Sequence, residues 1–188
     1  MRLWMVRHGP THAKAMVGWT DIPADLSDGA ALERLRDHLP DAPVVSSDLI
    51  RASATADALN RQSRLPHDPA LREINFGVWE MLTFTEIEAQ DADKIRAYWD
   101  TPGDITPDDG ESWNAISARV SAAIDNYSAQ GFRDLIVVAH FGAILTQVQR
   151  ALKCDGYTAF SHKIDNLSVT DMTLTNGNWQ IGRINHCP

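Results

Sequence analysis

Cysteine is nearly absent: Cys154 and Cys187 are the only two in 188 residues. They are too few for a disulfide framework and show no metal-ligand spacing. Long apolar runs are missing as well, since nothing approaches the ~18 residues of a membrane span. The N-terminus offers one base and then four apolar residues before Arg7, too short for the core of a secretory signal. Basic charge is in deficit, with 17 Lys and Arg against 25 Asp and Glu, a net charge of -8 and a pI near 5.2. That balance excludes a broad basic face for nucleic acid or anionic lipid, but leaves a local cationic pocket open. Internal repeats and low-complexity segments are also lacking. The expectation is a cytoplasmic protein with reduced thiols and no nucleic-acid or membrane partner.

What is present is ordinary for a globular chain: 44% hydrophobic and 22% charged residues. The length suits one domain with a sizeable core, spanning residues 1–188. Leu3-Trp4-Met5-Val6 is a short apolar run stopped by Arg7-His8-Gly9-Pro10, which predicts a buried strand delivering Arg7 and His8 to its C-terminal edge. In open α/β sheets that edge is where ligands bind. Pro43–Ser47 predicts a second strand, opening through Asp48 as a cap into a helix with Arg51 in its first turn. A cation there opposes the helix dipole; read alone it is a solvated arginine, and an anion shared with the helix N-terminus is the alternative that would remove the conflict. Leu135–Ala139 is the most continuous strand signal, and it ends in His140-Phe141-Gly142. Asn176-Gly177 marks a hairpin near the C-terminus. Strand and helix alternate before that hairpin, which predicts an α/β fold with a mainly parallel sheet covered on both sides.

Between these segments Leu71–Glu80 holds two carboxylates, Glu73 and Glu80, in an irregular apolar and aromatic setting. A polar helical region from about Thr85 to Trp99 and a loop through Gly110 follow, and residues from about 80 to 112 are expected to form a partial lid. His12 stands four residues after His8, but Gly9-Pro10 argues against the helix that a metal pair would need. No metal is expected. Trp19, Trp99 and Trp113 are candidates for the wall of a leaving-group pocket or for ordinary core.

Arg7-His8-Gly9 with Thr11, Ser46-Ser47-Asp48 with Arg51 and Thr55-Ala56, Leu71, Glu73, Phe76-Gly77, Trp79-Glu80, Gly110-Glu111-Ser112, Arg119, and Val138-Ala139-His140 with Gly142 occur in one order over nearly the whole chain. Together they resemble the histidine phosphatase superfamily, also called the phosphoglycerate mutase-like family. The resemblance implies a three-layer αβα sandwich and a phosphohistidine on His8, formed by in-line attack on phosphorus. It implies that Arg7, Arg51 and His140 hold the non-bridging oxygens and that Glu73 is the acid, ahead of Glu80. Thr11, Lys14, Gly18 and Gly142 complete the phosphate and substrate contacts on this reading, Arg119 is structural, and no cofactor is implied.

Several positions depart from the family's pattern: Pro10, Lys14, Phe141 and Met81. Lys14 is as compatible with a solvated side chain as with an anion contact. The region between Glu73 and His140 has no Arg-Arg pair of the kind that resembles the glycolytic mutases, so hydrolysis of a small phosphorylated metabolite is the expectation. Within the family the Phe-Gly-x-Trp-Glu and Gly-Glu-Ser pieces look most like α-ribazole phosphatase and broad-specificity phosphatases. A mutase-type phosphotransferase and a non-catalytic phosphate-binding domain stay open as alternatives. The sequence leaves the oligomeric state unassigned.

Overall fold

Apolar residues on alternating sides make Arg2–Arg7 a strand, β1, that is buried on both faces: Leu3 and Met5 join one core cluster, Trp4 and Val6 the other. A computed structural model describes residues 1–188. β1 lies at the centre of a five-stranded sheet. Its neighbours are β3 (Asp134–Ala139), parallel to it, and β4 (Val169–Thr175), antiparallel to it. β2 (Val44–Ser46) pairs parallel with β3, and β5 (Asn178–Ile181) closes the edge against β4. The hairpin at Asn176-Gly177 forms with both residues at positive φ, as an Asn-Gly turn requires.

Helices cover both faces, as the α/β pattern predicts. α1 (Gly29–His38) and α2 (Ile50–Ala58) pack Leu35, Ala52 and Ala56 against Trp4, Val6, Ile136 and Val138. On the opposite face α5 (Trp113–Ser128) and α6 (Phe141–Leu152) bring Ile116, Val120, Ile144 and Val148 against Leu3, Met5, Leu135 and Val137. Burying one such aliphatic side chain is worth roughly 1.5–3 kcal/mol. A short helix, α7 (Gly156–Phe160), follows α6.

The polar segment expected as one helical region is two helices, α3 (Phe84–Glu88) and α4 (Ala92–Asp100). The break has a local cause: Thr83 and Glu86 form a capping box for the first, and Asp91 accepts from Lys94 N–H to start the second. Ile87, Ile95 and Tyr98 are buried in the same cluster as α5 and α6, so this insertion is anchored in the core.

Asp48 does not cap α2. The N-cap is Leu49, with no side-chain bond, and Asp48 instead takes Nε and Nη2 of Arg72 at 2.7 and 2.5 Å. A bidentate Arg–carboxylate pair outcompetes a single cap bond.

Candidate active site

The C-terminal ends of β1 and β3 lie side by side, with Arg7 opposite Ala139, so the residues that follow them meet. The His8 and His140 rings have centroids 5.0 Å apart. His8 Nδ1 lies 2.7 Å from the Gly9 carbonyl. A carbonyl only accepts, so Nδ1 carries the proton and Nε2 keeps its lone pair. Burial, together with Arg51 and Arg7, pushes the His8 pKa down to about 3 against the opposing Gly9 bond, so the ring is neutral.

A cavity of about 120 Å³ is lined by Arg7, His8, Thr11, Ala13, Ala15, Val17, Arg51 and Glu73. Five predicted residues, Arg7, His8, Thr11, Arg51 and Glu73, thus share one space, and His140 is not among its lining residues. Arg7 is held by Nη1 donating to the Ile164 carbonyl at 2.6 Å, and its guanidinium stands over the Phe141 ring, 5.5 Å from the centroid. Arg51 is almost fully buried, at 1% exposure. Its Nη1 donates to the Thr20 carbonyl at 2.9 Å and its Nη2 to that of Gly18. Those carbonyls, with Glu73 close by, balance a cation that the helix dipole disfavours.

Glu73 accepts the N–H of Ile74 on Oε1 and that of Gly142 on Oε2, both at 3.0 Å. Burial raises its pKa above the usual carboxylate range, although those two amides and Arg51 and Arg7 pull the other way. His140 is fully buried, and neither ring nitrogen has a hydrogen-bond partner within the protein. Burial and the neighbouring His8 keep it neutral. An unpaired buried polar group costs about 1–3 kcal/mol, so this arrangement favours a ligand that supplies the bond.

Other sequence candidates take different places. Thr11 lines the cavity, whereas Lys14 is exposed and is absent from the lining. Gly18 gives its N–H to Glu80 and its carbonyl to Arg51. Gly142 gives its N–H to Glu73, and a Cβ there would stand 2.4 Å from Glu73 Oε1. Both glycines therefore hold functional side chains in place, and neither has a free N–H for phosphate. His12 bonds Asp25 on the surface and faces a larger cavity, about 380 Å³, bounded by Pro10, residues 25–28, α1 and the chain's C-terminal end. That space holds none of those five residues.

None of the three tryptophans lines the cavity around His8. Trp113 is core and donates to Gln149, while Trp99 packs among Phe76, Tyr98 and Phe160. Trp19 lies beneath Arg72 and Arg119, and its Nε1 donates to the Glu73 carbonyl at 2.8 Å. Arg119 ties Glu111 to the carbonyls of Ala70, Arg72 and Glu73. Sequence reasoning missed Asn166, whose Nδ2 donates to the His8 carbonyl at 2.8 Å. It also gave no role to Thr55, which accepts Gly9 N–H and donates to the Arg51 carbonyl. An asparagine in a loop carries no pattern that separates it from a turn former.

The family model described as "Histidine phosphatase superfamily (branch 1)" matches residues 3–186. Among curated relatives, the adenosylcobalamin/alpha-ribazole phosphatase of Salmonella typhimurium is 28% identical over 174 residues, covering 88% of this chain and 86% of its own. A glucosyl-3-phosphoglycerate phosphatase of Mycolicibacterium vanbaalenii is 36% identical over 177 residues, covering 83% and 77%. A mycobacterial glucosyl-3-phosphoglycerate phosphatase solved with VO3 superimposes with a TM-score of 0.86 at 28% identity, covering 98% of both chains.

Proposed function

The chain belongs to the histidine phosphatase superfamily, branch 1, and is a phosphatase; on that premise we propose that it hydrolyses a small phosphomonoester through a phosphohistidine on His8, in a single catalytic domain. The observation that carries this reading is the one cavity shared by His8, Arg7, Arg51 and Glu73, with the His8 ring neutral and Nε2 available. Nε2 attacks phosphorus as the ester P–O bond breaks, and protonated Glu73 gives its proton to the departing oxygen. Water then attacks the phosphohistidine, Glu73 takes the proton from that water, and the P–N bond breaks to release inorganic phosphate. Arg7, Arg51 and His140 carry the charge on the non-bridging oxygens, which is most of what phosphoryl transfer asks of a protein. The test is to quench a reaction with labelled ester and look for enzyme-bound phosphate that is stable in base and lost in acid. A label on any residue other than His8, or none under conditions of turnover, overturns the mechanism.

The walls also bear on the substrate. Arg7 and Arg51 are the two arginines of the lining, which contains no lysine, and the outer wall is Ala13, Ala15 and Val17. Both arginines are committed to one phosphate. The neighbouring 80–112 segment, whose Met81 and Leu82 pair with Met16 of the cavity loop, holds ten of the chain's 25 acidic residues and two of its 17 basic ones. A second anionic group on the leaving alcohol therefore meets an unfavourable field, and the two arginines beside Trp19, Arg72 and Arg119, are already paired with Asp48 and Glu111. Of the two substrates named for the relatives, this favours the ribazole type, a neutral nucleoside, over a glycerate, which carries a carboxylate. The expected result is a kcat/KM at least tenfold higher for the monophosphate of a neutral nucleoside than for 3-phosphoglycerate. The reverse order would overturn the substrate class and leave the mechanism standing.

A further inference from the structure

Glu80 is the second carboxylate of the Leu71–Glu80 stretch, and the chemistry above does not use it. Its surroundings are unusual for a half-buried carboxylate. Oε2 accepts the N–H of Gly18 and of Thr20 at 3.1 Å and the Thr20 hydroxyl at 2.7 Å. Oε1 accepts the N–H of Trp19 at 2.8 Å and that of Phe76 at 3.1 Å. One side chain thus fixes three consecutive amides of the loop after β1. The carbonyls of that segment, at Gly18 and Thr20, are the two that receive the Arg51 guanidinium.

We propose that Glu80 is a positioning residue for the phosphate-binding Arg51, acting through the backbone of residues 18–20. The proposal rests on the reading of Arg51 as a phosphate ligand. A buried guanidinium on a flexible stem has its fork direction set by its acceptors, and here the acceptors are carbonyls on a loop with no secondary structure of its own. The carboxylate supplies the order that the loop lacks, because bonds from amides to a charged acceptor are about twice as strong as neutral ones. Gly18 belongs to the same device. A Cβ at that position would stand 2.1 Å from the Ile74 carbonyl and 2.2 Å from Glu80 Oε1, so only glycine lets the loop approach its anchor. Trp19 Nε1 on the Glu73 carbonyl joins the loop to the acid as well.

A double-mutant cycle tests this. Glu80→Gln is close in shape but cannot accept on both terminal atoms. It is expected to lower kcat/KM at least tenfold and to weaken competitive inhibition by inorganic phosphate in parallel. Arg51→Ala should lower both by a larger factor, and the double variant should lie within threefold of Arg51→Ala. Equal losses from Glu80→Gln in the native and Arg51→Ala backgrounds overturn the proposal, as does a Glu80→Gln enzyme within twofold of native. If Glu80→Gln does not fold, Thr20→Val carries the same cycle, since it removes only the hydroxyl bond. A two- to fivefold loss that vanishes beside Arg51→Ala supports the proposal, and an undiminished one overturns it. An Arg51→Ala enzyme as active as native protein overturns the site reading itself, which is a different failure.

Discussion

Replacing His8 by alanine should reduce phosphomonoester turnover by about four orders of magnitude, roughly 5.4 kcal/mol in the barrier, while the protein stays folded. No other side chain in the cavity can take over the attack. Thr11 has no base within bonding distance, and Glu73 is occupied by two backbone amides. Residual rate would come from Arg7 and Arg51 stabilising attack by water. The same variant has a thermodynamic signature. His8 titrates near 6.5 in an unfolded chain and near 3 in the fold, so between those values the unfolded state binds more protons. Native stability attributable to this residue is therefore complete above about pH 6.5 and falls as pH drops toward 3, by at most about 1.4 kcal/mol per pH unit. The alanine protein lacks that loss. Melting temperatures in phosphate-free buffer at pH 7 and pH 5 should show the native protein losing ground to the variant on acidification. Hydrolysis undiminished by the substitution would remove His8 as nucleophile, and parallel melting curves would remove its buried neutral state.

How much of this was legible in the sequence depends on the range of the interaction. β1 and β3 are runs of apolar residues that end in polar ones, and a strand buried on both faces leaves that signature locally. His8, Arg7 and His140 could be placed because each sits one or two residues from such an end, and strand pairing does the rest. Glu73 was legible only through the family resemblance, since a glutamate beside Leu71, Ile74 and Phe76 reads equally well as a surface carboxylate next to an aromatic cluster, and its burial is decided by the fold. The antiparallel β4 beside β1 was less so, since hairpin signals give a strand's partner at its turn and say nothing of its other edge. Asp48 and the two glycines were misplaced for a common reason. Each is decided by a partner far away in the chain: Arg72 for Asp48, Glu80 and Arg51 for Gly18, Glu73 for Gly142. Lys14 falls outside the cavity lining because that loop alternates, with Thr11, Ala13, Ala15 and Val17 lining it. Without a regular strand that alternation could not be phased in advance.

Glu73→Gln should separate the two half-reactions, and the separation depends on the leaving group. For an alkyl ester the departing alkoxide needs a proton, so loss of the acid should lower kcat about 10²–10⁴-fold. For a nitrophenyl ester the phenolate leaves without help, and formation of the phosphoenzyme should change little. Its hydrolysis still needs Glu73 as base, so the variant should release one equivalent of nitrophenol in a burst and then slow. The pH dependence follows from the direction of the shift. Burial raises the Glu73 pKa, and the acid acts in its protonated form, so native turnover of alkyl esters should fall as pH rises through that raised value. The glutamine protein should lack this basic limb. Stability should move the other way. A carboxyl whose folded pKa lies above its unfolded value contributes fully below the unfolded value, near 4.3, and loses that contribution as pH rises through the folded one. Glutamine has no such loss and can keep an oxygen on the Gly142 amide, so the variant should melt higher than native protein at pH 7.5 and converge with it at pH 4. A variant slow with both esters and without a burst would place the catalytic acid elsewhere. Equal melting temperatures across that range would mean that the carboxylate is ionised at little cost beside Arg7 and Arg51, and that its acidity is set by bound phosphate instead of by burial.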